Sequence, residues 1–298
     1  MATNHAWLAA LPAELGRQRR ALAELARWCE GWPLALALAV GCSLGRGAAD
    51  ALSDIDGALG LDAPPGEAGA ATVGMMEARV AAALPELGPV VDVLRHQVER
   101  PGQHIRRVFA QFADGTQLDL AILALAGIEA RHAGGGAPDF VWLYRADGVA
   151  GDGLAAGGPV ADDARVAYAV TGEQVREWAF LGWCALIDAD KYLRRGSAWE
   201  AHARLEEARN HVWALWAAAR GAMYPWHGLS QVLDQDPADL PPGIEATVAG
   251  LDLAALRAAA RACASVLTLV SRAAAARHPA SLPGAMGAYV TAALARDR

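Results

Sequence analysis

Gly41-Cys42-Ser43-Leu44-Gly45-Arg46-Gly47-Ala48-Ala49-Asp50-Ala51-Leu52-Ser53-Asp54-Ile55-Asp56-Gly57-Ala58-Leu59-Gly60-Leu61 is the stretch from which the rest of the chain is read. It follows an apolar run, Leu34 to Val40, that reads as a buried strand. Gly41 to Gly47 is a small-residue turn, Ala48 to Leu52 has room for a short helix, and Asp54 to Leu61 reads as a second strand. Side chains at i and i+2 of a strand point to one face, so Asp54 and Asp56 are expected to converge. Two like charges so placed repel unless a cation lies between them. The turn ahead of them offers backbone N–H groups and the Ser43 hydroxyl to a phosphate.

Working outward, residues 12–30 carry Leu15, Leu22, Leu25 and Trp28 at helical spacing, and the pattern stops at Gly31 and Pro33. Downstream, a Pro/Gly-rich break runs from Ala63 to Ala70, and Met75 to Leu84 is expected to be a helix. Val90 to Gln97 follows as a strand. Ile105 to Phe112 and Gln117 to Leu125 flank Asp114-Gly115, a favoured hairpin dipeptide. Asp119 lies between Leu118 and Leu120 and therefore faces away from both. Residues 126–138 read as a Gly-rich loop, and Phe140 to Tyr144 as a further strand.

Residues 149–161 are dominated by Gly and Ala, which places a domain boundary there, between 1–155 and 156–298. From about residue 162 the pattern is helical. Thr171 is expected to cap a helix reaching Arg195, with Glu173 in its first turn, and Ser197 to cap one reaching about Arg220. Further helices are expected over roughly 229–235, 252–277 and 282–296. The fold class is an α/β (α+β) N-terminal domain built on a mixed sheet, followed by an α-helical C-terminal bundle.

The chain has 298 residues, a formal charge of -7 and 54% hydrophobic residues, which describes a globular protein with ample core. The acidic balance argues against a nucleic-acid partner. No stretch reads as a membrane span, and no basic-then-apolar leader opens the sequence, so the expected setting is cytoplasmic. Cys29, Cys42, Cys184 and Cys263 are scattered without a CxxC pair and are expected to be free thiols. Basic residues are almost all arginine; Lys191 is the only lysine. A lysine that remains in such a composition suggests a need for a compact point charge.

Three acidic side chains, Asp54, Asp56 and Asp119, form the candidate constellation. Hard oxygen ligands suit Mg²⁺, which takes the rest of its shell from water and phosphate oxygens. Two such ions would clamp the attacking and leaving oxygens of a displacement at phosphorus. Asp119 is also the best candidate for the general base, with a carboxylate from the C-terminal helices as the alternative.

Cys42-Ser43-Leu44-Gly45-Arg46-Gly47 followed by Ser53-Asp54-Ile55-Asp56 resembles the signature of the DNA polymerase beta-like nucleotidyltransferase superfamily, Gly-Ser-x-Ala-Arg-Gly then Ser-Asp-x-Asp with a later third acid. The Ser43–Asp54 separation of eleven matches, and the likeness covers roughly residues 34–125. Cys42 stands where the signature has glycine, Gly45 where alanine is usual, and Gly57 where an apolar residue is usual. The helical half, with Asp188, Lys191 and Tyr192 before Gly196, is similar to antibiotic adenylyltransferases of the aminoglycoside and lincosamide type. The resemblance implies ATP or another nucleoside triphosphate held by Gly41, Cys42, Ser43 and Arg46, and two Mg²⁺ ions on Asp54, Asp56 and Asp119. It further implies transfer of AMP to a hydroxyl of a small acceptor, in a cleft between the two domains of a monomer or homodimer. Asp188 and Lys191, three apart on one helix face, are candidates to meet the triphosphate, and Tyr224 to stack on the nucleotide. Other readings left open are transfer to another metabolite, transfer to a protein in the manner of an antitoxin, and non-catalytic nucleotide binding.

Overall fold

An arginine-rich amphipathic helix and the apolar strand after it set up the first layer of the computed structural model, which describes residues 2–100, 103–128, 140–149, 170–222 and 224–296. β1 (Ala2–Thr3) and α1 (His5–Ala10) precede α2 (Gly16–Gly31), whose Leu22, Leu25 and Trp28 are buried. Then come β2 (Ala35–Val40), α3 (Cys42–Arg46), β3 (Ile55–Leu61) and α4 (Glu67–Ala83). β4 (Val90–Arg100), β5 (Gln103–Phe112), β6 (Gln117–Ala124) and β7 (Val141–Arg145) complete the strands. They form one seven-stranded sheet in the order β1-β7-β2-β3-β6-β5-β4. β3 and β6 run parallel while the other described pairings are antiparallel, so the sheet is mixed.

The two faces of this sheet differ. Leu38, Val40, Ile55, Leu59, Val108, Leu118, Leu120 and Ile122 lie on one face and form a single core with Leu22 and Leu25 of α2 and Val73, Met76 and Val80 of α4. Ala37, Ala39, Ala58, Ile105, Leu123 and Trp142 lie on the other and form a smaller cluster. Alternation puts Asp56 and Asp119 on that second face, away from both helices.

The chain divides into two compact units, Met1–Ala167 and Tyr168–Arg298. The boundary expected between residues 155 and 156 lies outside the described residues, as does most of the expected Gly-rich loop. In the second unit, α5 (Gly172–Arg194) is capped by Thr171 as expected, and the cap is a full capping box with Gln174. The Thr171 hydroxyl accepts from Gln174 N–H at 3.2 Å, and the Gln174 side chain accepts from Thr171 N–H at 3.0 Å. α6 (Ala198–Arg220), α7 (Leu229–Gln235), α8 (Leu253–Arg277) and α9 (Gly284–Leu294) follow. Ser197 precedes α6, but its side chain makes no capping bond.

α8 corrects one expectation. It has 25 residues and contains an 18-residue window of mean hydropathy 1.6, long and apolar enough to cross a membrane. In this unit the same residues serve as core: Leu256, Ala260, Cys263, Leu267 and Val270 are buried among side chains of α5 and α6.

Local differences have local causes. Residues 48–52 form no helix, because Asp50 closes a turn instead: its carboxylate accepts from Leu52 N–H at 2.9 Å and from the Ser53 hydroxyl at 3.1 Å. α4 begins at Glu67, inside the expected break, since Gly66 at φ 77 turns the chain straight into it. The hairpin does reverse at Asp114-Gly115. Gly115 N–H donates to Phe112 O at 3.1 Å with Gly115 at φ 89, and the Asp114 carboxylate accepts from Thr116 N–H at 2.9 Å.

Candidate active site

Parallel pairing of β3 with β6 sets Asp56 directly beside Asp119. Asp54 lies two residues ahead of Asp56, just before β3 begins. Asp54 and Asp119 are thus both close enough to Asp56 to act on its charge, on the face of the sheet opposite α2 and α4. Asp56 is half-buried, and its carboxyl is pushed above the usual carboxylate range. Burial is the largest cause, followed by the negative charge of Asp54; Asp119 adds to it. A thiol hydrogen bond from Cys42 and the charge of Arg107 act the other way.

The turn before β3 is tied to the same spot. Gly41 N–H donates to Asp56 O at 2.9 Å, and Gly45 N–H returns to Gly41 O at 3.1 Å to close the first turn of α3. A side chain at Gly41 would meet the Phe140 ring at 2.5 Å, so only glycine fits. Cys42 sits at φ 53, the left-handed region, where a Cβ is disfavoured. The glycine of the resembled signature has a backbone reason, and this chain departs from it at some strain. Gly57 is also explained: a Cβ there would press on the Leu120 side chain at 3.0 Å, so Leu120 fills the space. Ser43 and Arg46, the other residues expected at a phosphate, are half-buried in α3.

The segment carrying Asp54 is held from behind. Gln18, 1% exposed on α2, donates to Ser53 O at 2.8 Å, and Arg17 donates to Ala51 O at 2.5 Å.

Arg107 is not among the residues expected from sequence. It lies on β5 and donates through Nε to Asp119 at 2.9 Å and through a second nitrogen to the other carboxylate oxygen, a bidentate ion pair. The signal was present: counting back from Asp114-Gly115, alternation puts Arg107 on the face of Asp119, in register with Ala121 two residues on.

Whether a divalent ion fits can be judged from these contacts. The donor set is all carboxylate oxygen, and the mutual repulsion felt at Asp56 is what a cation would relieve. Arg107 already neutralises Asp119, and among the described residues no group of three or more His, Cys, Asp or Glu side chains is arranged around a common metal position. Asp54 and Asp56 thus fit a cation as they stand, whereas Asp119 fits one only in competition with Arg107.

The remaining candidates lie in the second unit. Lys191 Nζ stands 2.5 Å from Asp188 Oδ1 and 4.9 Å from the Tyr192 ring centroid; both side chains of the ion pair are substantially exposed. The buried acid of α5 is its neighbour Asp190, 2% exposed and paired with Arg194. Tyr224 is 5% exposed and packs edge-on against Trp226, with ring centroids 5.3 Å apart. A cavity of about 410 Å³, lined by Pro64, Gly69, His104 and Leu123 among others, lies toward the far ends of β3 and β6 and includes none of the expected site residues.

No family model matches this chain, and no curated protein matches it. Among solved structures it is similar to an aminoglycoside 6-adenyltransferase from Bacillus subtilis, with 12% sequence identity and a TM-score of 0.37, over 94% of this chain and 99% of that one. A likeness that distant carries no argument here, and the case rests on the site's own geometry.

Proposed function

We propose that the chain is a metal-dependent nucleotidyltransferase that moves a nucleoside monophosphate, AMP from ATP, to a hydroxyl of a small molecule of the antibiotic type. One observation carries this reading. Asp54, Asp56 and Asp119, from two segments far apart in sequence, lie near one another beside the Gly41–Gly47 turn on the face of the sheet opposite α2 and α4.

In this reading Asp54 and Asp56 hold the first Mg²⁺, and Asp119, once free of Arg107, completes the set. Bound there, divalent ions would polarise the α-phosphate and neutralise the departing pyrophosphate. The protein's own part is positioning and charge. Ser43 offers a hydroxyl, and the amides of Cys42, Ser43 and Leu44 have no intrahelical acceptor because they form the first turn of α3. Asp119, or a carboxylate supplied from elsewhere, accepts the proton of the acceptor hydroxyl. Asp188, Lys191 and Tyr224 stand in the second unit, and the reading does not depend on them.

The test is incubation with Mg²⁺, each nucleoside triphosphate labelled at the α-phosphorus, and a panel of hydroxylated antibiotics and metabolites. Label should appear on one acceptor class, with pyrophosphate released. Asp54→Asn should lower turnover by at least about a thousandfold, in the range seen when charge stabilisation at a reacting phosphate is removed. Full activity in that variant would overturn the assignment.

A further inference from the structure

Arg107 is a permanent cation placed where the proposed reaction wants a metal. Its guanidinium engages both oxygens of Asp119. That occupies the lone pairs a divalent ion would use. The Asp119 side chain is 16% exposed and that of Arg107 40%, so the carboxylate is largely withdrawn from water while the guanidinium still reaches it. The bidentate grip of Arg107 is on Asp119.

The guanidinium also has an alternative place. His96 lies in register with Arg107 on the neighbouring strand, and its ring Nδ1 is buried with no hydrogen-bond partner among the described residues. A neutral imidazole can accept there. An arginine that leaves Asp119 need not become a desolvated, unpaired charge.

We propose that Arg107 is a built-in counter-cation that competes with a divalent metal ion for Asp119, so that metal occupancy at this carboxylate requires the ion pair to open. The inference rests on the nucleotidyltransferase reading, and Arg107 is a positioning residue in it rather than a catalytic one. The metal-free protein is kept from accumulating three unneutralised carboxylates on one face. The same contact weakens the last metal-binding position.

The experiment is Mn²⁺ titration of the full chain, followed by the electron paramagnetic resonance signal of free Mn²⁺, with circular dichroism to verify folding. Arg107→Gln should bind Mn²⁺ at least about threefold tighter, as expected for loss of a competing bidentate, partly exposed ion pair. Arg107→Gln combined with Asp119→Asn should lose that gain. Arg106→Gln, one residue away on the opposite face, should leave the affinity unchanged. If Arg107→Gln does not fold, Arg107→Lys, which keeps the charge but gives up the bidentate grip, should show a smaller tightening. Unchanged or weaker Mn²⁺ binding in the folded Arg107 variant, or equal tightening in Arg106→Gln, would overturn the proposal while leaving the transferase reading intact. Absence of Mn²⁺ binding in the wild type and every variant would overturn both.

Discussion

Cys42 and Asp56 show how single residues in this site trade stability for position. Cys42 holds φ 53 and places its thiol on the Asp56 carboxylate. A β-branched side chain at such a φ is strained by about 1–3 kcal/mol, whereas glycine has no such penalty. Cys42→Val should therefore be clearly less stable in urea denaturation, and Cys42→Gly should stay within about 1 kcal/mol of wild type. Equal stability of the two variants would show that the turn is not held at this dihedral. Asp56 bears on pH. Its folded carboxyl is raised above the unfolded value, so over the window between the two the folded state binds more protons. Stability of the metal-free protein should fall as pH rises through that window, and the loss should persist at neutral pH. Asp56→Asn removes the repulsion, so its melting temperature at neutral pH without metal should rise by roughly 2–4 °C, while the wild-type fall with pH flattens. A variant destabilised equally at every pH would contradict this electrostatic picture. The repulsion between Asp54 and Asp56 was legible in their spacing, whereas the Cys42 dihedral and the burial of the Asp56 carboxyl are properties of the folded neighbourhood.

Elements were more legible, and the misses have a common cause. β2, β3, the β5–β6 hairpin and α5 follow from apolar runs, Asp114-Gly115 and the Thr171 cap, all signals contained within a few residues. The expected helix at 48–52 fails because Asp50 hydrogen-bonds its own turn more readily than a helix. Arg107 and Gln18 were overlooked because their partners lie on other elements. α4 shows how tightly one junction is drawn. A Cβ on Gly69 would fall 1.8 Å from the Pro64 carbonyl oxygen, a backbone atom that cannot step aside. Gly69→Ala should cost about 1–3 kcal/mol by denaturant unfolding, with an unchanged midpoint contradicting the packing.

Across the whole molecule, the sequence pattern leads to the expectation of a mixed-sheet part and a helical part, and each of the two compact units has its own core. Two cysteines report on those cores separately. Cys29 is buried in the first and Cys263 in the second, and burial pushes both thiols up to about 12. Cys42 and Cys184 are partly exposed. A thiol reagent should label Cys42 and Cys184 in the native protein, and reach Cys29 and Cys263 only as the corresponding unit unfolds, which mass mapping along a urea titration would resolve. Rapid native labelling of Cys263 would contradict the role of α8 as a core helix. What composition could not supply is the acceptor, since acceptor recognition depends on side chains brought together only by the fold.

The position of label decides whether Asp54, Asp56 and Asp119 carry the proposed nucleotidyl transfer. With ATP labelled separately at the α- and γ-phosphorus, Mg²⁺ and the acceptor panel, α-label should appear on the acceptor and γ-label in pyrophosphate, with neither product from Asp54→Asn. Transfer of γ-label to the acceptor, or undiminished α-transfer by Asp54→Asn, would contradict it.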